Sequence, residues 1–505
     1  MTSVVEMKGI TKTFPGVVAN DEINFILKKG EVHGLLGENG AGKTVLMSIL
    51  YGLYQYDKGQ IFVNGKKVEI DSPSTAIKLG IGMVHQNFML VPSLTVAENI
   101  VLGREPKKNY FWFDINKAVS DAQALSDQYG LEIDPKAKVH SLPVGVQQRV
   151  EVLKALFRGA EILILDEPTA VLTPQEVDGL FGAIRALKKR GKSVIFISHK
   201  LKEVCAICDR ITVLKRGRVV GTVGKNETKP DKLAEMMVGR EVSYAIKKEH
   251  LVPGSIVLQV AGLRAFNDRK LLSLKDVDFK VHKFEILGIA GVEGNGQTEL
   301  VEVLTGIRKL EAGKIFLNGE PIASLSAHER IERGLSTVPE DRQRKGLILD
   351  FSVSENLVLG RHDKSPFAKS WFRLNLEKIS DFADRLIKEY SIKTPNRGTL
   401  ARNLSGGTQQ RVVVAREFSG KPEFIIASQP TRGLDVGATE YVRRKLLEMR
   451  EKGSAILLIS ADLDEILALS DRIAVIYEGR IVAIRESSKT NEFELGLLMA
   501  GGKND

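Results

Sequence analysis

A run of eight residues, GENGAGKT at 37–44, gathers three glycines, a lysine and a threonine. Gly37, Gly40 and Gly42 free the backbone to curl so that its N–H groups point inward, which is how a chain wraps a phosphate. Glu38, Asn39 and Ala41 fill the loop between them. Lys43 would neutralise phosphate charge, and Thr44 would offer a hydroxyl to a divalent cation. Further on, the apolar run ILIL at 162–165 ends in Asp166 and Glu167, and a second run at 193–197 leads to His199. Two adjacent carboxylates at a strand end can divide the work, Asp166 in the metal shell and Glu167 polarising an attacking water. His199 is placed to sense a terminal phosphate, and Gln86, after a strand at 82–85, to touch both metal and water. A lone glutamine or histidine is usually structural; the ordered set gives each its chemical reading.

These residues need rigid elements to position them. VVEMKGITKTF (4–14) and INFILKKGEVHGLLG (23–37) read as strands, the second running directly into the glycine-rich loop, and VLMSILYGL (45–53) reads as the helix after it. Strand, loop and helix in that order put the phosphate at a helix N-terminus, where the dipole favours an anion. The unbroken apolar character of 162–165 predicts a strand buried in a parallel sheet.

The same layout occurs twice. Gly37, Gly59 and Gln86 correspond to Gly291, Gly313 and Glu340, each 254 residues further on (291 − 37). After small insertions near Arg342, the spacing settles at 262 (404 − 142), linking Leu142 to Leu404, Asp166 to Ser428, His199 to Ala461, Asp209 to Asp471 and Gly217 to Gly479. Spacing held over such lengths means tandem homologous domains. Each unit, of about 245 residues, is large for one core but within range. The expected seam is the polar stretch 240–255, with Lys247, Lys248, Pro253 and Gly254, short enough to hold the domains close together.

With these motifs in this order, the chain resembles a tandem ABC-transporter ATPase over both halves. The resemblance implies an α/β fold: two homologous P-loop NTPase domains, at 1–245 and 256–505, each with a RecA-like core, an antiparallel β subdomain and a helical subdomain. It implies ATP and Mg²⁺ as ligands, with Thr44, Gln86 and Asp166 around the metal, Asp166 and Glu167 as the Walker B pair, Gln86 as the Q-loop residue and His199 as the switch. The adenine-stacking aromatic falls on Phe14, with a core role the alternative reading of that ring. The family's signature turn acts in trans on the nucleotide of the other domain. In LSGGTQQ (404–410), Ser405 and the backbone of Gly406 and Gly407 would open a helix N-terminus towards that phosphate.

The two copies are damaged in complementary places. In the first, LPVGVQQ (142–148) puts Pro143 where the serine stands, removing a hydroxyl and an N–H, and Val144 where a glycine stands. In the second, Gly291, Gly296 and Thr298 keep the loop, but Gln297 replaces its lysine, Ser428 and Gln429 the Asp–Glu pair, Ala461 the histidine and Glu340 the glutamine. A carboxylate at 340 would repel phosphate. One composite site, made from Lys43, Thr44, Gln86, Asp166, Glu167 and His199 and closed by Ser405, Gly406 and Gly407, is thus expected to hydrolyse. The other would hold nucleotide weakly or close the interface. One live site predicts about one ATP per closure.

Composition bounds the setting. No run approaches the roughly 18 apolar residues of a membrane span, and the polar start at 1–9 does not read as a signal peptide. Two cysteines in 505 residues, Cys205 and Cys208, indicate a reducing compartment. Their C-x-x-C spacing, with no second pair nearby, reads as packing one turn apart in a helix. The net charge of +10 (73 − 63) is scattered, as at Arg342 and Lys345, which reads as a solvated surface, with attraction to an anionic membrane leaflet next.

Three kinds of work suit such a motor. An importer subunit would need two integral-membrane permeases, docked at grooves beside Gln86 and Glu340 through helical segments at about 95–160 and 352–420, with an extracytoplasmic solute-binding lipoprotein. Tyr110, Phe111, Trp112 and Phe113, with Trp371 and Phe372, would contribute to docking or serve as packing anchors of helices. Soluble tandem ABC proteins of ribosomes keep both sites catalytic and carry a long charged linker; DNA-repair types carry large insertions. Neither pattern is present, so the expectation is an importer motor, peripheral on the cytoplasmic face of the membrane and without nucleic acid. VPEDRQRKGLI and PTRGLDVGA resemble ribose- and galactose-type importers; the SQ pair and GIGMVHQNFMLVPSLTVAENIVLG are more similar to nucleoside importers. A flavin-like vitamin is a further alternative, because the solute never touches this subunit.

Overall fold

The apolar runs that lead to the candidate chemical residues form neighbouring strands. In the first unit, Val32–Gly37, Ile162–Asp166 and Ser193–Ser198 are buried at every position, as strands covered on both faces must be. The sheet runs in the order 218–224, 210–215, 32–37, 193–198, 162–166, 81–84, parallel except for the first pair. Register fixes where the chemistry falls: Ser198 pairs with Leu36, Ile197 with Asp166 and Val84 with Leu165. Four strands therefore release the chain along one carboxyl edge, where open α/β sheets take their ligands.

The computed structural model describes residues 2–38, 40–85, 89–108, 112–169, 172–198, 200–238, 248–292, 294–370 and 373–502. Asn39, Gln86, Tyr110, Phe111, His199, Lys247, Trp371 and Phe372 lie outside them, as does the seam from 240 to 247. The chain divides into two units, 1–243 and 244–505. The second repeats the sheet in the order 335–338, 424–428, 455–460, 286–290, 472–477, 480–486. Each unit adds a four-stranded antiparallel sheet, built on Ser3–Phe14 with Val17–Lys28 in the first and on Ile256–Phe266 with Leu272–His282 in the second. The described end of the seam is tied to the second unit, with Lys248 Nζ 2.6 Å from the Ser470 carbonyl and Arg450 donating to the Glu249 carbonyl at 3.0 Å.

One expectation needs correction. Residues 23–37 are not one strand: Val17–Lys28 lies in the antiparallel sheet and Val32–Gly37 in the parallel one. The break falls at Gly30, whose φ of 66° lets the chain turn between layers.

The helical layer is set by its caps. In the first unit Val96–Val101 packs against Ile115–Tyr129 and Val144–Phe157; in the second, Val353–Val358 packs against Leu376–Glu389 and Gly406–Phe418. Thr95 and Ser352 close reciprocal capping boxes with Glu98 and Glu355, each worth about 1 kcal/mol. Of the aromatic stretches, Trp112 and Phe113 are described, and they are not helix anchors. Trp112 and Phe113 form one strand of a two-stranded ribbon with Lys107–Lys108, and Trp112 is 76% exposed. The ribbon leaves these rings without a core to enter.

Only Cys205 lies within the helix Leu201–Ile207; Cys208 caps it. Cys208 is buried, and burial pushes its thiol pKa well up. A β-carbon on Gly34 would meet its Sγ at 2.9 Å, so the sulfur packs directly on the strand before the glycine-rich loop.

The start of that strand is pinned by an ion pair present in both units. Arg210 Nε donates to Glu31 Oε1 at 2.5 Å in the first, and Arg472 Nε to Glu285 Oε1 at 2.6 Å in the second. Burial raises the Glu31 pKa, but hydrogen bonds from His33, Arg210 and the Lys28 amide outweigh it and bring it down to about 2. A carboxylate lowered on folding stabilises above its unfolded value and loses that contribution as pH falls through the folded one. Denaturation midpoints of wild type and Glu31→Gln should therefore differ most above pH 4.5 and converge towards pH 2; a gap independent of pH would refute this account.

Candidate functional site

The glycine-rich loop leaves the strand Val32–Gly37 and enters the helix Lys43–Leu50. Gly42, with φ of 96°, caps the helix, and a β-carbon there would lie 2.3 Å from the Ala19 carbonyl. No other residue fits that backbone without displacing Ala19. Lys43 is buried, its Nζ donating to the Gly37 and Glu38 carbonyls at 2.7 and 3.1 Å. Burial lowers its pKa, opposed by the charges of Glu167, Asp166 and Glu38. A buried ammonium satisfied by carbonyls and flanked by carboxylates is ready to exchange them for phosphate oxygens.

Asp166 ends its strand 4% exposed. Burial raises its pKa, as does the neighbouring Glu167, while a Thr44 hydrogen bond and Lys43 lower it. Its Oδ1 is buried without a hydrogen-bond partner. An orphaned carboxylate oxygen beside a threonine hydroxyl fits the oxygen donor set of Mg²⁺. Glu167 follows with φ of 47°, a left-handed conformation rare outside glycine, and its N–H donates to the Ile197 carbonyl at 3.0 Å. That bond ties the loop carrying Glu167 to the strand leading to position 199. Phe14, half-buried at the end of Ser3–Phe14, meets Tyr54 edge-on at 5.5 Å and is not part of the core. Tyr54 was not legible as a neighbour from sequence.

The second cassette keeps the backbone and loses the charges. Gln429 has φ of 45° and donates to the Ile459 carbonyl at 2.7 Å, as Glu167 does to Ile197. Gly296, with φ of 104°, caps the loop helix as Gly42 does. Gln297 spends its amide on the loop itself, donating to the Val292 carbonyl at 3.0 Å and accepting from the Asn295 N–H at 3.2 Å. Gln429 Oε1 accepts from the Ala461 N–H at 3.2 Å, and Ser428 is buried at the strand end. Thr298 remains at its place in the loop helix. Glu340 departs from expectation: Lys345 Nζ lies 2.9 Å from its Oε1, so its charge is compensated inside the cassette rather than left bare.

The signature turns differ in their caps. Ser405 caps the helix Gly406–Phe418 and accepts from the Thr408 N–H at 3.3 Å. Pro143 begins Val144–Phe157 with no side-chain cap, so the helix survives but its hydroxyl donor does not. Around Ser405, Gly406 and Gly407, sequence reasoning missed a brace. The loops after positions 86 and 340 are held by Asn99 and Asn356, 257 residues apart, so the second carries three extra residues (257 − 254). This stretch contains the five-residue π-helical turn Arg342–Gly346, whose Arg342 donates to the Arg432 carbonyl at 3.0 Å. A β-carbon on Gly406 would lie 2.6 Å from Arg342 Nη2, and Gln343 donates to Gln409 Oε1 at 3.1 Å. The insertion was visible in the spacing; its contact with the signature was not.

A parallel sheet that presents a glycine-rich loop, a lysine and a paired carboxylate along one edge defines a P-loop nucleoside triphosphatase. More particularly, the chain belongs to the ABC transporter family, whose sequence model matches residues 20–170 and 274–432, and it is an ATPase. It is 51% identical over 99% of its length to the guanosine import ATP-binding protein NupO of Bacillus subtilis, covering 98% of that protein. It is 47% identical to the nucleoside import ATP-binding protein NupA of Lactococcus lactis subsp. cremoris, covering 99% and 98%. The glucose import ATP-binding protein TsgD13 of Haloferax volcanii is 45% identical, at 99% and 96%.

The loop chemistry gives a direct exchange experiment. Lys43→Gln, which installs the second copy's residue, should weaken ATP binding about ten- to hundredfold, the worth of one hydrogen bond to a charged group. Titration with a fluorescent ATP analogue reads this; unchanged affinity would mean that Lys43 does not face the phosphates.

Proposed function

We propose that this chain is the ATP-hydrolysing motor of a bacterial nucleoside importer, and that it turns over ATP at one site. The observation that carries this reading is the pair of strand-end loops that share their backbone but not their charges. Glu167 and Gln429 adopt the same strained conformation and the same backbone hydrogen bond, yet only the first stands beside a lysine and an aspartate.

In this reading Lys43 and the loop N–H groups hold the β- and γ-phosphates, and Phe14 stacks on the base. Thr44, Asp166 and Gln86 hold Mg²⁺, which when bound neutralises charge developing on the transferred phosphoryl group. Glu167 orients the attacking water and draws off its proton, and His199 contacts the γ-phosphate. Ser405, Gly406 and Gly407 supply donors from the second cassette. The opposite set, Gln297, Ser428, Gln429, Ala461 and Glu340 with Pro143 and Val144, lacks the base, the metal carboxylate and the full signature, and does not hydrolyse. ATP binding draws the cassettes together, hydrolysis releases them, and two membrane permeases fed by an extracytoplasmic solute-binding lipoprotein carry the movement. Among the described residues no helix is long and apolar enough to cross a membrane; in this reading the subunit is peripheral, on the cytoplasmic face. Nucleosides as cargo are supported by the whole-length likeness to NupO and NupA.

Uptake of radiolabelled uridine, adenosine, ribose and galactose by cells carrying wild type or Glu167→Gln tests the reading. The substitution should cut ATP turnover on the order of hundredfold or more while ATP still binds, and nucleoside uptake alone should be lost. Loss of ribose or galactose uptake instead would move the chain to sugar import.

A further inference from the structure

The duplication sets apart the residue that follows the switch position. Lys200 in the first cassette corresponds to Asp462 in the second, 262 residues on (462 − 200). A lysine exchanged for an aspartate beside the switch marks a difference between the cassettes outside the motifs.

Lys200 belongs to a compact cluster. Glu203, in the first turn of Leu201–Ile207, accepts from Thr169 Oγ1 at 2.5 Å and from Ser198 Oγ at 3.2 Å through Oε2. Its Oε1 lies 3.2 Å from Lys200 Nζ. The same Nζ donates to the Thr169 carbonyl at 3.4 Å, and the Lys200 N–H donates to Ser198 Oγ at 3.0 Å. Thr169 and Ser198 are each 2% exposed, so their bonds to Glu203 are shielded from competing water, while the Lys200 side chain closes the cluster from its partly exposed side. Thr169 lies two residues beyond Glu167, while Ser198 and Lys200 flank position 199. The Glu167 N–H to Ile197 bond joins the two loops at their base, and the cluster joins them again beyond the reacting residues.

The second cassette retains Thr431, Ser460 and Glu465 at the matching positions but not the lysine. There the cation comes from the helix Val436–Glu451: Arg443 Nε lies 3.3 Å from Glu465 and its Nη2 3.2 Å from Asp462. Asp462 caps its own helix, accepting from the Asp464 N–H at 3.0 Å. Glu465 keeps side-chain hydrogen bonds with Ser460 and Thr431, so the cassettes differ in the cation: Arg443 ties the second loop to a helix, whereas Lys200 ties the first to the Thr169 carbonyl, on the loop that carries the catalytic glutamate.

We propose that Lys200 and Glu203 are positioning residues for hydrolysis, clamping the loop of His199 to the loop of Glu167. This rests on the reading of the first cassette as the hydrolytic one. An in-line attack depends on where both loops stand, and a displacement of an ångström is costly to rate. Nucleotide affinity depends on the separate loop at 37–44, so the clamp acts on turnover and not on binding.

The test uses the full-length chain, with kcat, KM for ATP, affinity for ADP and thermal midpoint measured for each variant. Lys200→Asp, which installs the second cassette's residue, and Glu203→Ala should lower kcat about ten- to hundredfold while KM and ADP affinity stay within about twofold. Lys200→Arg and Glu203→Gln, which keep the charge and the acceptor respectively, should recover most of that loss. A wild-type kcat in Lys200→Asp overturns the clamp, as does an equal fall of kcat, ADP affinity and thermal midpoint in all four variants, which would make the cluster purely structural. Glu167→Gln run in parallel separates the two readings: if it still hydrolyses ATP, the assignment of the hydrolytic cassette has failed. If it is inactive while the clamp variants turn over normally, only the clamp has.

Discussion

Parallel strands hold one another by evenly spaced, slanted hydrogen bonds, and a slip of one residue would turn every side chain to the opposite face. In the first cassette that register sets Ile197 against both Leu35 and Asp166. The glycine-rich loop, the carboxylate pair and the switch loop leave adjacent strands at one level because of it. Burial protects the register: a slip would carry Asp166 into the sheet and bring apolar side chains to its edge. At about 1.5–3 kcal/mol for each large apolar side chain buried, the strands 32–37, 162–166 and 193–198 hold the site more firmly than any contact within it.

The degenerate copy separates what the fold requires from what the chemistry requires. Its strands keep the corresponding register, with Ile459 against Ile289 and Ser428, and its catalytic-position residue keeps the positive φ. The backbone at that position is therefore a property of the strand-end turn and survives replacement of the acid. What has gone are charged groups at strand ends and in the loop, replaced by the neutral side chains of Gln297, Ser428 and Gln429. Gln297 and Gln429 are satisfied within their own cassette, so buried polar groups are not abandoned where charges were removed.

The signature turns divide labour in the opposite sense. Replacing Ser405 by a proline at the matching position leaves the helix start intact, because proline suits the N-terminal edge of a helix. It removes the hydroxyl, and the second cassette adds a brace of Arg342 and Gln343 where the first has no extra residues. One cassette thus concentrates the charges for hydrolysis and the other a supported turn of small residues.

The sequence by itself determined the motifs, their order, the duplication and the complementary losses, because these are patterns of residue type at fixed spacing. It also marked the buried strands, whose unbroken apolar runs suit few other environments. Tertiary structure decided where groups distant along the chain meet. Gly30 divides an apparently continuous strand between two sheets, since a turn depends on which layer the chain must reach next. Trp112 and Phe113 lie on an exposed ribbon, although their composition suits a packed helix equally well. Thr169 meets Glu203 from 34 residues away, and Lys345 neutralises Glu340 only because a π-helical turn folds it back. Such pairings depend on backbone direction and burial, which a one-dimensional pattern does not contain.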